Sequence, residues 1–315
     1  MRRRTLLLGT AFAATARVAA FAADKPLVIL TSLPSLSFPF FVHMQKQLRA
    51  EAGKLGNITL LETDGQNSAP KQTGDVEAAI TKGVNAIVIS PLDVNAMAPA
   101  VQEAVSAKVP VVTIDRRING VEGILAHVGA DNVKGGEAQG EAIVAAFPNG
   151  ARVFHLQGQP GAGPAIDRNK GLHSVLDKHK DKFKIVFEQT ANFARDQALS
   201  VTESGLAGLS EPPQVIVCAN DDMALGALEA VRARNLKGIA IYGFDALPEA
   251  LARVKDGSLA GTVEQFPGQQ SRIAMDIAVA YARDGKEPEK RLVLLTPIVI
   301  TKANLDKAER LSEMS

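Results

Sequence analysis

Short apolar runs rich in Val and Ile alternate with helix-patterned stretches along nearly the whole chain, and this alternation restricts the fold more than any single motif. The runs are PLVILTS (26–32), ITLLETD (58–64), AIVIS (86–90), VPVVTID (109–115), ARVFHLQ (151–157), FKIVFEQ (183–189), QVIVCAN (214–220), GIAIYGFD (238–245) and LAGTVEQ (259–265). Several are continuously apolar, the pattern of strands covered on both faces, and the stretches between them supply crossover helices. From Phe41, the positions Met44, Leu48, Ala52 and Leu55 recur at helical spacing until Gly56 stops them. Near Asp93 a second helical stretch opens, with Pro99 suited to a first turn. Asp131 or Asn132 is placed to cap a helix running to Phe147, and Asp221 or Asp222 to cap MALGALEAVRAR.

About nine strands exceed one compact doubly wound sheet. They fall into two βα series, one to about Gly129 and one from Asp131 to about Gln265. The expectation is an α/β protein with two doubly wound parallel-sheet lobes.

The first residues stand apart from this pattern. MRRRTLLLGTAFAATARVAAFAA has a basic head, an apolar stretch from Leu6 to Ala14 and an A-x-A site at Ala20-Phe21-Ala22. It reads as an export signal over residues 1–22, cleaved near Ala22. Arg2-Arg3-Arg4 before Thr-Leu-Leu also fits a twin-arginine route, with Sec as the alternative. Four of the 35 basic residues lie in that segment, so the mature chain keeps 31 against 34 acidic groups, a net charge of −3. Such a balance excludes the concentrated basic face that nucleic acids require. The sole cysteine, Cys218, lies in an apolar run, so no disulfide forms within the chain.

In an open parallel sheet, ligands bind beyond the carboxyl ends of the strands. Here those ends carry Asp115-Arg116, Asn220-Asp221-Asp222, Asp245 and Gln265, and the loop after VFHLQ leads to Arg168. Carboxylates accept from hydroxyls, guanidinium groups donate in a planar fork, and amides do both. Polyhydroxylated ligands need such partners, because each buried hydroxyl left unpaired costs roughly 1–3 kcal/mol. Their C–H faces pack on aromatic rings. With no Trp and two Tyr, the twelve Phe must supply those rings, and Phe38, Phe40, Phe41 and Phe193 are the candidates. At least one of Phe40 and Phe41 is expected in the core. Asp115 and Asp245 balance Arg116 and Arg168, which favours a neutral ligand.

LQGQPGAGPAIDRNKG (156–171) has the glycine spacing of a phosphate-binding loop at Gly158 and Gly163, but Pro164 and Ala165 replace the required Lys and Ser/Thr. The turn is therefore read as a bend that starts a helix at Pro164 and aims Arg168 at the cleft. His43, His127, His155, His173 and His179 show no metal-ligand spacing, and no nucleophile motif is present, so neither metal, cofactor nor catalysis is expected. His155, on a strand near the cleft side, is the one histidine set aside for scrutiny.

At PFF (39–41), VPVVTIDR, Arg168-Asn169-Lys170-Gly171, ANDDMALGA, YGFDA and TVEQ, the chain resembles the ribose-binding-protein branch of the periplasmic sugar-binding family. That type I fold is shared with the ligand domains of lactose-repressor-like regulators. The resemblance implies a three-stranded hinge between lobes, with residues 24–129 and 266–293 in the N-terminal lobe and 130–265 and 294–315 in the C-terminal lobe. It also implies that Asp115, Arg116, Arg168, Asn220, Asp245 and Gln265 hold ligand hydroxyls while Phe40, Phe41 and Phe193 stack on the ligand. The implied protein is a periplasmic monomer that passes a small neutral sugar or polyol to an ABC permease. A chemoreceptor is a further candidate partner, and a regulator or sensor uncoupled from transport is the alternative. Phe38 stands where ribose binders carry asparagine, which argues against ribose and for a deoxy sugar, a methyl-bearing sugar or a polyol.

Overall fold

The computed structural model describes residues 26–314, so the export signal expected at residues 1–22 lies outside them. Two parallel sheets form the frame. The first has the order β2 (Ile58–Asp64), β1 (Leu27–Leu33), β3 (Ala86–Ile89), β4 (Val111–Ile114), β5 (Ala126–Ala130) and β11 (Leu292–Leu295). The second has the order β7 (Phe183–Thr190), β6 (Ala151–Gln157), β8 (Val215–Cys218) and β9 (Ala240–Tyr242). A short ribbon pairs β10 (Thr262–Glu264) antiparallel with β12 (Ile298–Ile300), and a bridge from Tyr242 to Gly261 joins it to β9. This is the two-lobed α/β architecture expected from the alternation.

Helices cover both faces of each sheet, which is why the central strands are mostly apolar. Every residue of β3, β4 and β8 is buried. Sealing a side chain such as Ile87, Ile89 or Ile114 away from water contributes roughly 1.5–3 kcal/mol. Helix α1 (Pro39–Leu55) stops at Gly56, which adopts φ 70° and donates its N–H to Ala52 O. It lies beside α9 (Pro267–Asp284), where Ser271 and Arg272 reach Met44 O and Gln47. The last long helix thus returns to the first lobe, and β11 stays in the first sheet to Leu295 instead of leaving it at 293.

Some local expectations change. Pro99 does sit in the first turn of α3 (Ala98–Ser106), but Asp93 caps the turn before it through Asn95 N and Ala96 N, both at 2.7 Å. Asp131 caps α4 (Asn132–Ala146), which ends at Phe147. The cap of α7 (Asp221–Ala233) is Asn220, not Asp221 or Asp222, because Asn220 is the extended residue whose Oδ1 accepts from Met223 N. Asp221 is instead buried and accepts from Leu247 N and Thr262 Oγ1, tying α7 to the neighbouring loop and β10. No helix among the described residues is long and apolar enough to cross a membrane.

Candidate binding site

The carboxyl ends of the strands from both lobes face one another across a small cavity. Its wall is formed by Phe38, Phe40, Phe41, Asp115, Arg116, Arg168, Phe193, Asn220, Asp245 and Gln265, together with Pro164. All ten side chains singled out in the sequence are therefore brought together at one place. Phe40 and Phe41 each serve twice, packing in the core and lining the cavity.

The strand ends place these groups by abrupt changes of backbone direction. Asp115, just after β4, has φ 60°; Asp245, after β9, has φ 109°; Phe193, before α6 (Arg195–Gly208), has φ 61°. Side chains other than glycine enter this region at a cost of order 1–3 kcal/mol, and such residues cluster where a site requires them. The turn at Asp115 is also where β4 stops, directly after Ile114.

Each polar group is held by others. Asp115 Oδ2 accepts from Ser90 Oγ at 3.3 Å and lies 3.8 Å from Arg116 Nε. Arg116 donates to Leu92 O at 2.7 Å. Its guanidinium carbon sits 5.3 Å from the Phe41 ring centre and 5.8 Å from that of Phe193. Rings from opposite lobes thus flank one cation.

Arg168 reaches the cavity from α5 (Gly163–Leu176). Its guanidinium stacks 3.6 Å from the Phe244 ring centre and donates to Asn132 Oδ1 at 2.8 Å and Ala219 O at 2.6 Å. It also lies 3.5 Å from Asp245 Oδ1, which accepts from Gln265 Nε2 at 2.6 Å. Asn220 Oδ1 accepts from Met223 N, and its Nδ2 donates one hydrogen to Phe193 O and keeps the second. Two atoms of cavity-lining residues, Arg116 Nε and Gln265 Oε1, are buried with no hydrogen-bond partner among the described residues.

Burial pushes the Asp245 carboxyl up to about 7, against the pull of Arg168, and pushes Asp115 up against the pull of Arg116. It draws Arg116 down to about 10. These directions share one cause: two carboxylates and two guanidinium groups are held out of water. Hydroxyl donors reaching the carboxylates would favour their charged forms.

Sequence reasoning missed the residues that hold the lobes together around the cavity. Val94 N donates to Gly161 O at 3.0 Å, Gln159 Nε2 donates to Asn67 Oδ1 at 2.9 Å, and Arg117 pairs with Asp167. Three of these groups lie in or just after the glycine-rich turn, whose backbone serves as a contact between lobes and holds no phosphate-binding Lys or Ser/Thr. The adjacent arginines of TIDRR were the one available signal, since Arg116 enters the cavity and Arg117 crosses the gap. Asn132, read only as a cap, instead orients Arg168. His155 does not line the cavity; it pairs with Glu188 on the other side of its strand end.

Comparison with known proteins agrees with this geometry. The sequence profile of the periplasmic binding protein domain family matches residues 29–287. The ribose import binding protein RbsB of Bacillus subtilis is 40% identical over 256 residues, 81% of either chain. That of Salmonella typhimurium is 34% identical over 295 residues, 94% of this chain and 97% of the other. Among solved structures, the Caulobacter myo-inositol binding protein bound to myo-inositol aligns with a TM-score of 0.88 at 44% identity, covering 92% of this chain and 98% of that one. A family profile spanning most of the chain, relatives above 30% identity and a shared fold lead to one conclusion: the chain belongs to the periplasmic binding protein family and is a solute-binding receptor, not an enzyme.

Proposed function

We propose that the protein captures a small neutral polyol or sugar, foremost a cyclic polyol of the myo-inositol kind, between its lobes and hands it to an ABC permease. The observation that carries this reading is the convergence of balanced charges and phenylalanine rings from both lobes on one cavity. The lining is mostly apolar with a few convergent polar groups, the make-up of a site for one small molecule. In this reading Asp115 and Asp245 accept ligand hydroxyls, Arg116, Arg168 and Asn220 donate to them, and Gln265 Oε1 accepts one more. Phe41 and Phe193 cover the two apolar ring faces, and Phe40 closes the wall.

Phe38 favours the cyclic polyol over ribose. It is the residue preceding α1, makes no side-chain cap and packs its ring edge-on 6.4 Å from Phe41. An apolar group there shields ring carbons and offers a hydroxyl nothing. The similarity to a myo-inositol-bound relative at 44% identity points the same way.

One chain supplies every wall of the cavity, so a monomer suffices. The closed form, hinged where the chain crosses near residues 130, 265 and 296, is the state a permease or chemoreceptor would recognise. Residues 1–22 would direct export to the periplasm by the Sec or twin-arginine route.

Calorimetry of the mature protein with myo-inositol, ribose, other pentoses and hexoses, deoxy sugars and linear polyols tests this. A ligand present at a hundred times its Kd should add about 2.7 kcal/mol of stability. Tight binding of myo-inositol with weak ribose binding is expected, and Phe38→Asn should narrow the difference. Preference for ribose in the wild type, or a panel unmoved by Phe38→Asn, would refute the role given to Phe38. No heat with any polyol or sugar would refute the reading itself.

A further inference from the structure

Outside the cavity, the fold assembles a second cluster that solute capture does not use. His155 on β6 and Glu188 on β7 are direct cross-strand partners, and His173 of α5 lies over them. His155 Nδ1 and His173 Nε2 each stand 2.7 Å from the same oxygen, Glu188 Oε1. The three candidate donor atoms lie within 4.8 Å of one another. Linear spacing hid the cluster, because its members come from three elements. Two imidazoles converging on a single carboxylate oxygen exceed what strand pairing or helix packing requires.

We propose that His155, His173 and Glu188 form a transition-metal site of the zinc class, with solvent completing the coordination. Two imidazole nitrogens and one carboxylate oxygen match the donor set zinc takes, at roughly 2.0–2.2 Å from the ion. As hydrogen-bond donors to Glu188, His155 carries its proton on Nδ1 and His173 on Nε2. On metal binding each proton moves to the other ring nitrogen. For His173 that nitrogen is Nδ1, and the exposed Asp177 carboxylate, its Oδ1 3.7 Å away, can swing in to accept a hydrogen bond from it. This is the outer carboxylate that commonly orients a metal-bound histidine. The side chains of His173 and Glu188 are 28% and 33% exposed, so the ion has a path in and Glu188 has room to withdraw. Once bound, the metal ties α5, the helix that carries Arg168, to β6 and β7.

The test is zinc uptake by the tag-free mature protein, stripped of metal and measured by equilibrium dialysis, with cobalt absorption as a spectroscopic companion. We expect one ion per chain, a visible cobalt spectrum of low-coordinate type and a rise in Tm with zinc. His173→Asn and Glu188→Gln should abolish all three, and Asp177→Asn should weaken uptake about tenfold. His43→Asn, His127→Asn and His179→Asn should change nothing. His173 and Glu188 are partly exposed, so their variants should keep the metal-free Tm, which is measured alongside. No uptake by the wild type, or equal uptake by His173→Asn and Glu188→Gln, would reduce the cluster to a hydrogen-bonded triad and overturn the proposal.

Discussion

Gln265 Nε2 donates to Asp245 Oδ1 at 2.6 Å, yet this bond and the nearby Arg168 do not keep the Asp245 carboxyl in the usual acidic range. Burial raises it to about 7, with Asp115 and Asp222 pushing in the same direction. The native state therefore holds this proton more tightly than the unfolded chain. Its contribution to stability is full below about pH 4 and is lost as pH rises through about 7.

Ligand hydroxyls donating to Asp245 favour the charged form, so binding should release a proton near pH 7. Affinity should rise between pH 6 and pH 8, and binding enthalpies in phosphate and Tris should differ. Asp245→Asn should bind more weakly and lose both effects. A wild-type affinity flat over that range would remove Asp245 from the ligand's partners.

Arg168 is the group whose loss should do most harm. It is 4% exposed and meets Asn132, Ala219, Asp245 and Phe244 at once. Arg168→Ala would leave Asp245 and Asp115 without their shared counter-charge. Breaking a buried pair in this way destabilises by about 3–5 kcal/mol, and ligand binding should vanish. Asn132→Ala keeps the charge but frees the guanidinium to turn, so it should reduce affinity more than Tm. Denaturant melts and calorimetry on both variants separate these outcomes.

The cavity-lining groups were legible because a parallel sheet delivers its carboxyl ends to one side, so reading each strand to its end also reads what gathers there. Parts of the fold were less visible. β5 is AHVGA, too small and too mixed to read as a strand, although every residue but His127 is buried. β11 follows a charged stretch and lies at the sheet edge, with Leu292 and Leu294 exposed, so its four apolar residues lack a buried strand's context. Contacts such as Gln159 with Asn67 depend on how two lobes meet, and no local pattern encodes that.

Helix α5 holds Arg168 in place by lying very close to α4. A Cβ built on Gly136 would overlap Arg168 O, and one on Gly171 would overlap Val133 O. Both obstacles are backbone, which cannot rotate aside. Gly136→Ala should therefore push α5 off α4 and cost roughly 1–3 kcal/mol, with a further loss of affinity as Arg168 moves. Gly53→Ala, in α1 where a Cβ meets nothing, is the control and should leave affinity unchanged while raising stability by about 0.5–1 kcal/mol. Unaltered binding in Gly136→Ala would mean that α5 position is not what sets the guanidinium.

Closure itself can be tested at Gly161. In the glycine turn it has φ 81°, accepts from Val94 N, and would drive a Cβ into the Asp93 carboxylate across the gap between lobes. Gly161→Ala should strain the turn and keep the lobes apart, lowering affinity chiefly through faster ligand release. Asp93→Ala removes the obstacle at the expense of a turn cap. The double variant should then bind more tightly than Gly161→Ala alone, a coupling that two unrelated defects would not produce. Arg117→Ala, which removes a partly exposed cross-lobe ion pair worth about 0.2–1 kcal/mol, should weaken binding no more than about fivefold. Small-angle scattering with ligand would show Gly161→Ala more extended than the wild type. If the two coincide and the double variant shows no recovery, the glycine turn does not govern closure.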